Sequence, residues 1–181
     1  MAYDIITINP TTVTAAYADA DLFFDLTKVE LPARACKLVS VYMEVAATEA
    51  QVDDVKIGLL FFKKNTNNLA GSSGAVHADA EISAADFTAN KYIGSTFLQV
   101  SDGSAGWDLD IVENVALFFP SNAMSDSTIT SNYIDGSLHQ NLVLKGDAGG
   151  TEVYVGGVLI NSGSINVNGT DTVKIHFHVE Y

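Results

Sequence analysis

The sharpest alternation in the chain comes near its end, where Val173, Ile175, Phe177, Val179 and Tyr181 alternate with Lys174, His176, His178 and Glu180. Successive side chains of an extended strand point to opposite faces, so this pattern predicts a strand with one apolar and one wet face. The same period of two runs through Val39, Val41, Met43 and Val45, set against Leu38, Ser40, Tyr42 and Glu44. Lys56–Phe62 and Val115–Phe119 are apolar on both sides, as expected for central strands covered on both faces. Further strands are expected over Asp4–Ile8, Leu22–Leu31, Tyr92–Val100, Leu138–Lys145 and Glu152–Ile160, about nine or ten in all.

The segments between them are polar and turn-forming. Asn65–Gly74 reads as a loop, Gly146–Gly150 as a turn between strands, and Asn168-Gly169 as a hairpin leading into the final strand. Helix is confined to Ile82–Asn90, where Ser83 and Asp86 offer a weak capping box. Many short strands with this punctuation define the expected class: an all-β, antiparallel β-sandwich, jelly-roll-like, with at most one or two short helical turns. Residues 21–181 are read as one such domain. Residues 1–20, with a Thr- and Ala-rich stretch and Pro10, are read as an edge strand of the same sandwich or an arm lying on a neighbouring subunit.

Composition narrows the function. A chain of 181 residues with 48% hydrophobic content carries enough apolar material for a core without metal or disulfide staples. Its single cysteine, Cys36, cannot form an internal bridge and reads as a partly buried thiol. Acidic residues number 22 against 9 basic ones, a formal net charge of −13, and Arg34 is the only arginine. Nucleic-acid binding needs clustered Lys and Arg and is not expected. No apolar run approaches the ~20 residues of a membrane helix, and the first residues lack the positive and apolar regions of a secretory signal. The expectation is a chain that is neither membrane-spanning nor exported by that route.

Candidate chemistry is sparse. The sequence holds no G-x-S-x-G elbow and no Gly-rich phosphate motif, and its histidines (His77, His139, His176 and His178) fall in no catalytic pattern. His176 and His178 lie two apart on a strand, so they share a face. With His139 or a carboxylate they would offer ligands to zinc, and in a subunit contact their protonation would make assembly pH-sensitive. The bland alternative is a solvated strand face. Asp102, Asp108 and Asp110 in a Gly-rich stretch supply hard oxygen ligands of the kind calcium takes, although their spacing departs from the D-x-[DN]-x-[DN]-G loop. Asp53-Asp54 reads as a solvated turn. Trp107, Tyr133 and Tyr154 are the aromatics available to stack on a sugar ring, although isolated aromatics more often serve core or edge packing. No catalytic set is assembled, no cofactor is expected, and the chain reads as a non-enzyme.

The order of segments carries a resemblance. Asp53 and Val55–Phe62 are followed by a polar loop, the acidic Ala80–Asp86 stretch and Tyr92-Ile93-Gly94. Leu142–Gly146, Thr151–Gly157 and the closing alternating strand come later. Over roughly residues 20–181 this order resembles tailed-bacteriophage virion proteins, in particular head decoration (cement) proteins with a jelly-roll-like sandwich. The resemblance is one of pattern and order, with no short diagnostic motif and no catalytic residues to carry over. It implies a homotrimer on the capsid exterior that clamps the major capsid protein. The N-terminal stretch Ala2–Tyr17 is then expected to contribute to the shell contact. The alternatives are a carbohydrate-binding module or adhesin-type sandwich, and another virion subunit such as a head-fibre base or tail component.

Overall fold

The computed structural model describes residues 2–53, 56–71, 76–77, 80, 82–100, 111–112, 115–120, 142–160, 164–167 and 173–181. Among these, extended backbone dominates. The strands are β1 (Tyr3–Ile8), β2 (Ala15–Tyr17), β3 (Leu22–Glu30), β4 (Ala35–Asp53), β5 (Lys56–Phe62), β6 (Tyr92–Val100), β7 (Ile111–Val112), β8 (Val115–Pro120), β9 (Val143–Lys145), β10 (Glu152–Leu159), β11 (Ser164–Val167) and β12 (Val173–Glu180). One helix, α1 (Ala84–Asn90), interrupts them, and a single 3-10 turn spans Asp147–Gly149. Every described ladder is antiparallel. The chain is an all-β sandwich, as the alternation predicts.

The main path of hydrogen-bonded neighbours runs β1-β12-β4-β8-β6-β5-β10-β3 and curls into a half-barrel, while β11 and β2 form a smaller ladder that joins at β4. Curling brings opposite parts of the path face to face. Phe61 of β5 meets Phe177 of β12 edge-on, with ring centroids 5.9 Å apart. The apolar side of each strand fills this interior: Val41, Met43 and Val45 from β4, Leu59 from β5, Val153 and Val155 from β10, and Ile175 and Val179 from β12 are all buried. Each such side chain contributes roughly 1.5–3 kcal/mol by leaving water. A second cluster of Leu22, Phe62, Leu69 and Ala70 packs with Phe87 of α1 and closes the outside of β5. That is why β5 is apolar on both sides.

Local chemistry fixes the irregular parts. Ser83 caps α1: its hydroxyl accepts the Asp86 N–H, and the Asp86 carboxylate accepts the Ser83 N–H. The capping box read from sequence is formed. Asn90, fully buried, accepts from the N–H groups of Thr66 and Asn67 and donates to the Asn67 carbonyl. One side chain thereby satisfies three backbone groups of the polar loop. Where β10 and β3 slip register, Gly157 faces the ring of Phe24 so closely that a Cβ there would overlap it.

Several expectations change. Asn168-Gly169 lies outside the described residues, and the strands on either side of it, β11 and β12, share no ladder among the described residues. Both strands pair with β4 instead, with Val167 opposite Ala47 and Val173 opposite Val45. They pair with successive stretches of β4. β4 extends well past the alternating Val39–Val45 region, and the short β2, β7 and β11 carry too few residues for periodicity to register. Leu138–Lys145 reduces to β9, its first residues lying outside the described ones. The N-terminal residues are tied in, with β1 pairing along its length with β12 and β2 with β11. Residues 3–8 and 15–17 are thus strands of the described sheets.

β1 lies at one end of the path. Ala2 and Tyr181 exchange N–H to carbonyl hydrogen bonds at 2.9 and 3.0 Å, so the N–H groups of Tyr3, Ile5 and Thr7 point away from β12. The Ile5 N–H is taken by the Asp4 carboxylate at 2.8 Å. An edge donor answered by its own neighbour is a poor template for a further strand.

Candidate functional site

Three surface regions gather chemistry. The first is the outer side of β1, β12 and β4, opposite the core. His176 and His178 share this face, as their spacing predicts, and Tyr42 stacks on His176 at a centroid distance of 4.3 Å. Thr7 Oγ1 lies 3.0 Å from His176 Nδ1, which orients the ring. Nε2 of His176 stands 3.4 Å from Glu44 Oε1, an ion-pair distance when the ring is protonated, yet without hydrogen-bond geometry. The Nε2 atoms of both rings are buried and unpartnered. No set of three His, Cys, Asp or Glu side chains converges as a metal site among the described residues. Glu44 approaches His176 and Lys174 but does not complete a triad with the two histidines.

The second region continues that face toward the start of β4. Register aligns Tyr3, Glu180, Lys37 and Val143 in one row across β1, β12, β4 and β9. Alternation turns all four outward. Tyr3 is 68% exposed, Ile5 55%, Val143 48% and Val39 40%. Arg34, Ala35 and Lys145 extend the row, with Ala35 opposite Lys145. The result is a mixed apolar and basic patch on an acidic chain. Sequence reading missed it, although a signal existed. Leu142-Val143-Leu144 is an unbroken apolar run, and a strand with one wet face must turn at least one of these residues outward.

The third region is an open cleft of about 500 Å³, lined among others by Glu30, Lys63, Lys64, Asp147, Glu152 and Tyr154. Most of its charges are paired. Lys28 lies 3.4 Å from Glu30 and 3.2 Å from Glu152, which hold its ammonium pKa up. The Thr151 hydroxyl donates to Glu30, and with Lys28 it keeps that carboxyl below its ordinary value. Lys91 at 2.7 Å and Lys64 at 3.1 Å hold Asp147 down to about 2. Burial pushes the Tyr154 hydroxyl up, with Glu152 adding to the effect.

Comparison with known proteins finds no matching family model and no matching curated sequence. The site is therefore read from its own geometry.

The remaining candidates fall out as follows. Asp102, Asp108 and Asp110, together with Trp107, Tyr133 and His139, lie outside the described residues. Asp53 ends β4 and Asp54 is outside the described residues. His77 serves structure: its Nε2–H donates to the Ala16 carbonyl and its ring meets Tyr17 edge-on at 5.2 Å. Cys36 is buried, its thiol donates to the Ala33 carbonyl, and burial raises its pKa. A thiol held protonated is a poor nucleophile. No helix among the described residues is long and apolar enough to cross a membrane.

Proposed function

We propose that the chain is a non-catalytic structural subunit of a virion, a decoration protein seated on the capsid exterior against the major capsid protein. The observation that carries this reading is the outward row of Tyr3, Val143 and their neighbours Ile5 and Val39, large apolar side chains collected on one sheet face. Large exposed apolar side chains gathered on one sheet face favour a site of protein contact. Two features point the same way. The edge of β1 is answered by Asp4, which favours contact through faces over strand addition. The order of segments resembles head decoration proteins, which act by packing and not by turnover. β1 carries Tyr3 and Ile5, so the N-terminal stretch contributes to the contact from within the sheet.

The test is co-sedimentation of purified chain with phage heads that lack it, followed by its location on the particle by electron microscopy. Saturable binding at symmetry-related exterior positions, weakened by Ile5→Asp with the fold intact, supports the reading. Failure to bind any head preparation overturns it.

A second reading, saccharide binding, draws on the cleft, where the ring of Tyr154 stands beside Glu30 and Glu152. Planar carboxylates around an aromatic ring suit sugar hydroxyls and a sugar face. Saturable glycan binding lost in Tyr154→Ala would place this reading first.

A further inference from the structure

The cleft lined by Glu30, Lys63, Lys64, Asp147, Glu152 and Tyr154 is uneven in charge. β10 pairs with β3 on one side and β5 on the other, and it sets Tyr154 opposite Lys28 of β3 and Phe62 of β5. On the β3 side one ammonium group stands between two carboxylates, Lys28 Nζ lying 3.4 Å from Glu30 and 3.2 Å from Glu152. Beyond the end of β5 the balance reverses. Lys64 at 3.1 Å and Lys91 at 2.7 Å share the single carboxylate of Asp147, and Lys63 has no ion pair among the described residues. Asp86, on the neighbouring helix, is taken by Ser83 and Asn67. The cationic surplus of the cleft therefore lies with Lys63.

Both sides are held in place by their own hydrogen bonds. The Lys63 N–H donates to the carbonyls of Asn90 and Lys91, and the Lys64 N–H to that of Asn90, so the end of α1 anchors both lysines. The side chain of Asn90 accepts the Thr66 N–H at the rim. On the other side the Thr151 hydroxyl donates to Glu30, and the Tyr154 hydroxyl donates to Glu152 at 3.3 Å. Each carboxylate oxygen has two lone-pair sites, so Glu30 and Glu152 keep room to accept further hydroxyl donors. The half-buried Tyr154 stands between the two sides. A volume of about 500 Å³ lies within the roughly 300–1,000 Å³ of small-ligand sites.

We propose that this cleft binds a carboxylated saccharide, a uronate or sialate residue of a glycan. The sugar ring lies on Tyr154, its hydroxyls donate to Glu30 and Glu152, and its carboxylate pairs with Lys63. A neutral sugar gains no ion pair from Lys63. A bare inorganic anion takes that pair but faces two carboxylates of its own sign and leaves the aromatic ring unused. The inference rests on the saccharide reading of the cleft and adds the charge of the ligand. It uses none of the outward row of Tyr3, Ile5, Val39 and Val143.

The experiment is isothermal titration of the full chain with a galacturonate disaccharide and with sialyllactose. Each is run beside its neutral counterpart, a galactose disaccharide or lactose, and inorganic phosphate is titrated separately. Circular dichroism melts confirm that each variant is folded. At least one carboxylated probe is expected to bind about tenfold tighter than its neutral counterpart, as one charge-assisted hydrogen bond supplies. Whichever of the two binds names the source of the carboxylate. The preference should shrink with added salt and vanish in Lys63→Gln, while the affinity for the neutral sugar stays. Tyr154→Ala should weaken acidic and neutral sugars alike. Equal binding of acidic and neutral sugars, or a preference untouched by Lys63→Gln, overturns this inference and leaves the saccharide reading standing. Phosphate binding as tightly as the carboxylated sugars overturns it as well. Absence of saturable binding by any sugar overturns both.

Discussion

Replacing Phe177 by alanine tests the packing on which every later statement depends. Phe177 is fully buried, lies opposite Ile6 on β1 and Val41 on β4, and meets Phe61 of β5 across the interior. Truncation removes the transfer free energy of a phenyl ring and leaves a cavity that strands locked in three ladders cannot collapse to fill. The expected loss is about 3–5 kcal/mol. At roughly 2–4 °C per kcal/mol for a domain of this size, the midpoint of thermal unfolding should fall by about 6–20 °C. Urea unfolding should show the midpoint moving with the m-value unchanged, the sign of lost stability and not of an altered unfolded state. A double cycle of Phe61→Leu and Phe177→Leu should give a coupling of about 0.5–1.5 kcal/mol for the edge-to-face pair. The control is Ile5→Ala, at an exposed position, expected within about 0.5 kcal/mol of wild type. A Phe177→Ala loss below about 1 kcal/mol, or no coupling to Phe61, would mean that β5 and β12 do not share an interior.

Three further outcomes follow from single sites. Asn90→Ala removes the buried amide that answers two N–H groups and a carbonyl of the Thr66–Asn67 loop, and should cost about 1–3 kcal/mol, with faster hydrogen exchange at Thr66 and Asn67. Asp147 titrates at about 2 when folded, below its ordinary 3.8, because Lys91 and Lys64 favour its charged form. Its contribution is therefore full above about pH 4 and fades as pH falls toward 2, and Asp147→Asn should flatten the melting temperature over that window. The Cys36 thiol, buried and held protonated, should react with a disulfide reagent at neutral pH only as fast as the chain opens, and at once in denaturant.

Much of the fold was legible because its physics is local. The face buried by Val173–Glu180 follows from alternation alone, and the start of α1 follows from the hydroxyl of Ser83 and the carboxylate of Asp86. Partnership was not legible. That β11 and β12 both pair with β4 depends on which distant strand offers a ladder. The patch was hidden for the same reason. Tyr3, Lys37, Val143 and Glu180 come from four separated segments, and only register sets them in one row. The histidine pair was legible as geometry, since a spacing of two fixes a shared face, but its stacking on Tyr42 was not.

The place of β12 has a consequence for when the chain can fold. It is the last strand of the path to be synthesised, yet it sits between the first strand, β1, and the long β4. Until residues 173–180 emerge, β1 has no ladder and Val41, Met43 and Val45 lack the neighbour that completes their cover. Closure must therefore wait for late synthesis and span the greatest loop in the chain, which makes the final step slow and all-or-none. Nascent chains halted before β12 should be open to protease along their whole length, and should become resistant together once it is added.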